Sequence, residues 1–193
     1  MIAGHFGFAA IVKSRAPAVP LWALMLATVW LDIAFVPLFA AGIETLEPVP
    51  GVLPGYGGSI IHAVYTHSLV GAVLLSGLLG LAATAKWGRR AGLVIGMVSF
   101  SHWLLDLIVH RPDLPILPGN WGGLPELGFG LWRYPAAAMA LEAALIAIGA
   151  WAYWRAARLV TTEQGRGRAR TASAAIVVCG ALTLFLDVTG IAG

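Results

Sequence analysis

The chain reads as an all-α bundle of about five membrane-spanning helices preceded by a short re-entrant or interfacial helix, and three observations carry that reading. Of its 193 residues, 59% are hydrophobic and only 11% charged, with a mean hydropathy of +0.84, whereas a soluble domain carries about 25% charged residues. Five apolar stretches, about 20–41, 60–85, 91–110, 134–157 and 172–190, each reach the roughly 20 residues that cross a hydrocarbon core of about 30 Å. The basic residues are also segregated: ten of the twelve lie in three segments around Lys13/Arg15, Lys86/Arg89/Arg90 and Arg155 to Arg170. Placing those segments in the cytoplasm puts the N-terminus inside, the C-terminus outside, and leaves only Arg111 and Arg133 in the outer loops. The expectation is one integral domain, residues 1–193, in the cytoplasmic (inner) membrane.

In chain order, "MIAGHFGFAAIVK" (1–13) is too short to cross a bilayer and is followed by the helix-breaking "SRAPAVP". The run after Pro17 is longer than a signal-peptide core and contains Asp32, so it reads as a retained first span. The loop "GIETLEPVPGVLPGYGGS" is rich in Pro and Gly without helical periodicity, which predicts an irregular segment over the bundle mouth. The loop "RPDLPILPGNWGGLPELGFGLWRYP" has the same character, and its Trp121, Trp132 and Tyr134 suit an interfacial aromatic belt. "EQGRGRAR" is a topogenic loop rather than a nucleic-acid patch, so membrane lipid and no nucleic acid is the expected partner. Cys179, the only cysteine, excludes an intrachain disulfide and is expected to pack inside the last helix. No internal repeat suggests a transporter architecture.

Ionisable residues interrupt these apolar spans. In "SHWLLDLIVH" His102, Asp106 and His110 recur at every fourth position, spread over about 80° of one helix face. Depth along each predicted span puts Asp32, His62, His67, His102, Asp106, His110, Glu142 and Asp187 all in the outer half of the membrane. An uncompensated Asp near the bilayer centre costs about 2.5–3.5 kcal/mol, so these groups should face one another around a cavity that opens outward. Imidazole nitrogens with carboxylate oxygens are ligands for zinc, or for manganese or iron where carboxylates dominate. His102 and Asp106, at i and i+4, are pre-arranged for one ion, with Asp32, His62 and His67 at matching depth. The competing reading is interhelical hydrogen bonding without an ion. Glu142 and Asp187 fit a supporting role behind the ligands or plain hydrogen bonding, and Ser68 fits either that or helix capping.

"HAVYTHSL" at 62–69 followed by "SHWLLD" at 101–106 resembles the bacterial membrane-bound metal-dependent hydrolase family, the YdjM-like proteins, whose motifs run HRGxTHS and SHxxLD. "GHFGFA" and "WLDIAF" stand where that family has an early His and a Pro-Asp-x-Asp, so the resemblance covers residues 1–118 at the motif level. It implies a metal site built from His5, Asp32, His62, His67, His102 and Asp106, a fold remotely similar to zinc-dependent phospholipase C, and phosphoester hydrolysis, with His110 or Asp113 as general base or acid. Ala63, Ala34 and Leu31 depart from the family's Arg, second Asp and Pro, which points to one metal ion and to a divergent branch. His5 can join an outward-facing site only if the first helix is re-entrant.

Three functions follow from these residues. The first is a metal-dependent hydrolase of phosphoester or lipid-linked substrates. The second is an ion-handling protein, disfavoured because the inner half lacks the polar groups a relay needs. The third is a non-catalytic component whose polar residues hold the bundle together.

Overall fold

The computed structural model describes residues 1–52, 55–159 and 163–189. Among them the chain forms a helix bundle: α1 (Ile2–Arg15), α2 (Leu21–Thr28), α3 (Trp30–Ala40), α4 (Leu69–Trp87), α5 (Arg89–Val109), α6 (Pro135–Ala157) and α7 (Glu163–Thr189), with strands β1 (Thr45–Pro48) and β2 (Ser59–His62) between α3 and α4. Four helices are long and apolar enough to cross a membrane, and α2 with α3, bent by 47°, passes the same test only as a pair, as a broken span or a re-entrant loop. That bend corrects the continuous first span expected over 20–41. The Thr28 carbonyl accepts from His102 Nδ1 at 2.7 Å, and the helix breaks at Val29, where φ and ψ are −117° and 17°.

The second predicted span, 60–85, begins too early. Ser59–His62 pairs antiparallel with β1, Thr45 opposite His62 and Pro48 opposite Ser59, so the loop expected to be irregular carries a two-stranded sheet. The apolar Ile60 and Ile61 continue the hydrophobic run of α4 in sequence, which is why pattern alone extends the helix across them. Helix α4 begins only at Leu69, where Ser68 Oγ accepts from Gly71 N–H at 3.0 Å as an N-cap. The carbonyls of Pro115 and Ile116 in the 111–133 loop accept from Leu69 and Val70 N–H, so this loop is tied to the start of α4.

Helix α1 is about 21 Å long and lies inside the bundle, against α6, α7 and α2. Its interior position depends on small residues: a Cβ added to Gly149 on α6 would sit 2.3 Å from the Gly7 carbonyl oxygen. Ala9, Ala23, Leu24, Ala27, Ile95 and Val98 form an apolar core that joins α1, α2 and α5. Two smaller expectations change. Cys179 is exposed on α7 rather than packed inside, because the buried stripe of that helix runs through Ser173, Ile176 and Gly180. Trp121 and Tyr134 are exposed as an interfacial belt requires, but Trp132 is buried, its ring 4.4 Å from that of His110.

Candidate metal centre

Four separate pieces of chain meet at one end of the bundle. Helix α5 contributes His102 and Asp106 one turn apart, both buried, and ends at His110. The buried α1 brings His5, whose ring stacks on that of His102 with centroids 3.9 Å apart and planes 14° apart. The first turn of α3, just past the break, brings Asp32. The turn ahead of α4 brings His67, whose carbonyl accepts from Trp103 Nε1 at 2.8 Å.

Asp32 Oδ1, His67 Nε2, His102 Nε2 and Asp106 Oδ2 converge. His67 and His102 are each 3.5 Å from Asp32, 3.3 Å from each other, and 3.8 Å and 2.9 Å from Asp106. A tetrahedral ion with bonds of about 2.0–2.1 Å separates its ligands by roughly 3.3–3.4 Å. The Asp32, His67 and His102 separations of 3.3–3.5 Å match that value, so these three fit one small divalent cation, with Asp106 against His102 at its edge. The sets Asp32, His67, His102 and His5, His102, Asp106 each bring three donor atoms within 4.8 Å of one another. His5 reaches the other Asp106 oxygen, Oδ1, at 3.2 Å, and His102 is common to both sets, so Asp106 links the Asp32, His67 and His102 group to His5.

The hydrogen bonds behind the histidines decide what the facing nitrogens carry. His102 Nδ1 meets the Thr28 carbonyl, which only accepts, so Nδ1 holds the hydrogen. Thr66 Oγ1 donates to Glu44 Oε2 at 2.9 Å and takes the Nδ1 hydrogen of His67, also at 2.9 Å. In the neutral imidazoles both Nε2 atoms then present lone pairs toward the carboxylates, the arrangement by which a carboxylate or carbonyl orients a metal-binding imidazole. Glu44 is fully buried and also accepts from the backbone N–H of Tyr65 and Thr66. Sequence reasoning missed Glu44 and Thr66, and the signal that could have found them is an acid in the apolar loop "GIETLEP".

Other predicted residues divide. His110 and Asp113 are both buried; His110 Nδ1 bonds Asp113 Oδ1 at 2.9 Å, and its Nε2 lies 3.9 Å from Asp106 Oδ2. Asp113 also accepts from Ile61 N–H, which ties it to β2. The structure leaves His62 out of the cluster: it is on β2, 43% exposed, paired with Glu47 at 3.2 Å, because residue 62 belongs to the sheet and not to the inward face of a helix. Ser68 caps α4 and donates to the Tyr65 carbonyl. Glu142 is fully buried and accepts from Tyr56 OH at 2.7 Å and Gly4 N–H at 3.1 Å. Burial and that bond raise the Tyr56 phenol above its usual range, keeping it a neutral donor. Asp187 has a buried Oδ2 without a partner among the described residues.

A cavity of about 460 Å³ opens beside the cluster. His5, Asp32, His67, His102, Asp106 and His110 line it together with Tyr56, Ser59 and Asp187 and with apolar residues that include Phe35, Leu46, Ile61 and Leu186. No protein family, curated protein or solved structure matches the chain.

Proposed function

We propose that this protein is a metal-dependent hydrolase of the cytoplasmic membrane that acts from the outer side on a phosphoester or other lipid-linked substrate. The observation that carries the reading is the approach of His67 and His102 Nε2 to the carboxylates of Asp32 and Asp106 at 2.9–3.8 Å beside a cavity. Asp32, His67, His102 and Asp106 would hold the ion, with zinc the natural occupant of a two-nitrogen, two-oxygen set and manganese or iron the alternatives. Such an ion supplies Lewis acidity and lowers the pKa of a water to about 7. His110, its Nδ1 held by Asp113 and its Nε2 facing the cavity, is positioned to accept a proton from a nucleophilic water. His5 stacks on His102 and braces Asp106, and Tyr56 offers a phenol hydroxyl at the cavity wall.

The motifs shared with the YdjM-like hydrolases support the same chemistry. The buried position of α1 supports the inclusion of His5, because this helix carries it into the cluster while Lys13 and Arg15 lie at its other end. Lys86 lies over the rings of Trp22 and Trp87 at 5.8 and 4.9 Å, at the end of α4 away from His67, as expected of a cytoplasmic interface.

The test is elemental analysis of the detergent-purified protein alongside Asp106→Asn. The wild type should carry a stoichiometric transition metal, and Asp106→Asn should lose it while keeping its helical content, since Asn preserves size and most hydrogen bonding. A wild type that stays metal-free after zinc and manganese are offered refutes the proposal and leaves the cluster as a set of hydrogen-bonded histidines.

A further inference from the structure

The charge of the cavity restricts what can lie in it. Asp32, Asp106 and Asp187 line it, and no Lys or Arg does among the described residues. A divalent ion offsets Asp32 and Asp106 and leaves Asp187 over. Glu142 adds a further carboxylate directly behind Tyr56. The lining groups by themselves thus leave the surroundings neutral to negative. Arg111 stands behind the wall in the same way, its guanidinium donating to the Gly57 carbonyl, so it and Glu142 offset each other and the lining itself sets the charge. A phosphate group buried here would face carboxylates without the arginine or lysine that ordinarily recognises it, and an unpaired buried charge is costly.

The flanks of the cavity are apolar. Phe35 of α3 and Leu186 of α7 both line it. Helix α3 packs on α4, α5 and α2, whereas α7 packs on α6 and α1, so the two helices belong to different flanks of the bundle. Beside the lining residues, Val36 and Phe39 on α3 and Phe185 and Val188 on α7 are exposed. On a membrane-spanning bundle such surfaces face acyl chains.

From charge and flanks together we infer that the site takes a membrane lipid whose scissile group is uncharged, a carboxylic ester or amide, with its acyl chain lying between α3 and α7. The inference rests on the metal reading above and narrows it: within lipid-linked substrates, an acyl bond is favoured over a phosphoester. Hydrolysis then adds water across the carbonyl–oxygen or carbonyl–nitrogen bond. The hydroxyl goes to the acyl carbon, giving a fatty acid, and the remaining proton goes to the departing alcohol or amine.

The experiment uses the full chain, loaded with cobalt(II) in nanodiscs of zwitterionic lipid, and reads the visible cobalt spectrum while dodecanamide, dodecyl phosphate or acetamide is titrated in. Dodecanamide should bind at least about tenfold more tightly than either of the others, although phosphate has the greater intrinsic affinity for a divalent ion. A Ser59→Arg variant, which places a cation on the cavity wall, should gain about tenfold for dodecyl phosphate. Dodecyl phosphate binding the wild type as tightly as dodecanamide would overturn the charge argument, and acetamide matching dodecanamide would overturn the acyl-chain argument. Bound cobalt that responds to none of the three overturns the inference while leaving the metal site intact. A chain that takes up no cobalt refutes the metal reading itself and this inference with it.

Discussion

His67 and His102 meet Nε2 to Nε2 at 3.3 Å, and each has already committed its Nδ1 hydrogen, one to Thr66 and the other to the Thr28 carbonyl. Two neutral imidazoles held this way cannot hydrogen-bond to each other. A divalent cation reaching both Nε2 atoms would satisfy them together with the carboxylates alongside, and the predictions below depend on which residues hold that cation and which merely lie near it.

His62 and His67 separate ligand from bystander. His67→Ala removes a converging nitrogen and should lower metal affinity by more than about tenfold, the lower range for losing even a supporting partner. His62→Ala breaks only an exposed pair with Glu47, worth about 0–1 kcal/mol, and should retain full metal content. Equilibrium dialysis against zinc compares the two, and equal losses would place His62 at the site despite its position on β2.

Glu44 and Thr66 should tune the metal without touching it. Glu44→Gln keeps an oxygen for the Tyr65 and Thr66 amides, and Thr66→Val deletes the hydroxyl that holds His67 Nδ1. Each should weaken zinc binding by about 10–100-fold with a far-UV circular dichroism spectrum like the wild type. Unchanged zinc affinity in both variants would reduce the network to a structural turn.

Gly149 and Gly77 test the seat of α1. Gly149→Ala forces a methyl against the Gly7 backbone, whereas a Cβ at Gly77 meets nothing within 4 Å. The first should destabilise the protein by about 1–3 kcal/mol and weaken metal binding through His5, while the second should be neutral or gain up to about 1 kcal/mol of helix propensity. Thermal midpoints in detergent measure both, and equal midpoints would mean that α1 is not tightly docked.

Topology follows from the charge asymmetry. Reporter fusions at Gly88 and Gly119, at opposite ends of α5 and the loop after it, should report cytoplasm and exterior respectively. The same compartment for both would refute the orientation, and with it the outward-facing site.

Composition and spacing alone were enough to read a helical membrane bundle, the approximate limits of α5 and α6, and the inward stripe of His102, Asp106 and His110, because hydrophobic length and helical period are local properties of the chain. Most of the ionisable residues that meet in the cluster were also legible, since an ionisable group in an apolar run has to be explained wherever it occurs. Tertiary contacts decided the rest. His62 and His67 lie in one motif, yet strand pairing with Thr45–Pro48 turns one to the surface while the turn before Leu69 turns the other inward. The break at Val29 accompanies a bond from His102, 74 residues away, and no pattern within 20–41 encodes that. His5 reaches Asp106 because Gly7 and Gly149 let two backbones touch, and Glu44 matters because a loop folds its carboxylate under Thr66. Each of these is a partnership between distant segments, formed when buried polar groups must find partners in the fold rather than in the neighbouring sequence.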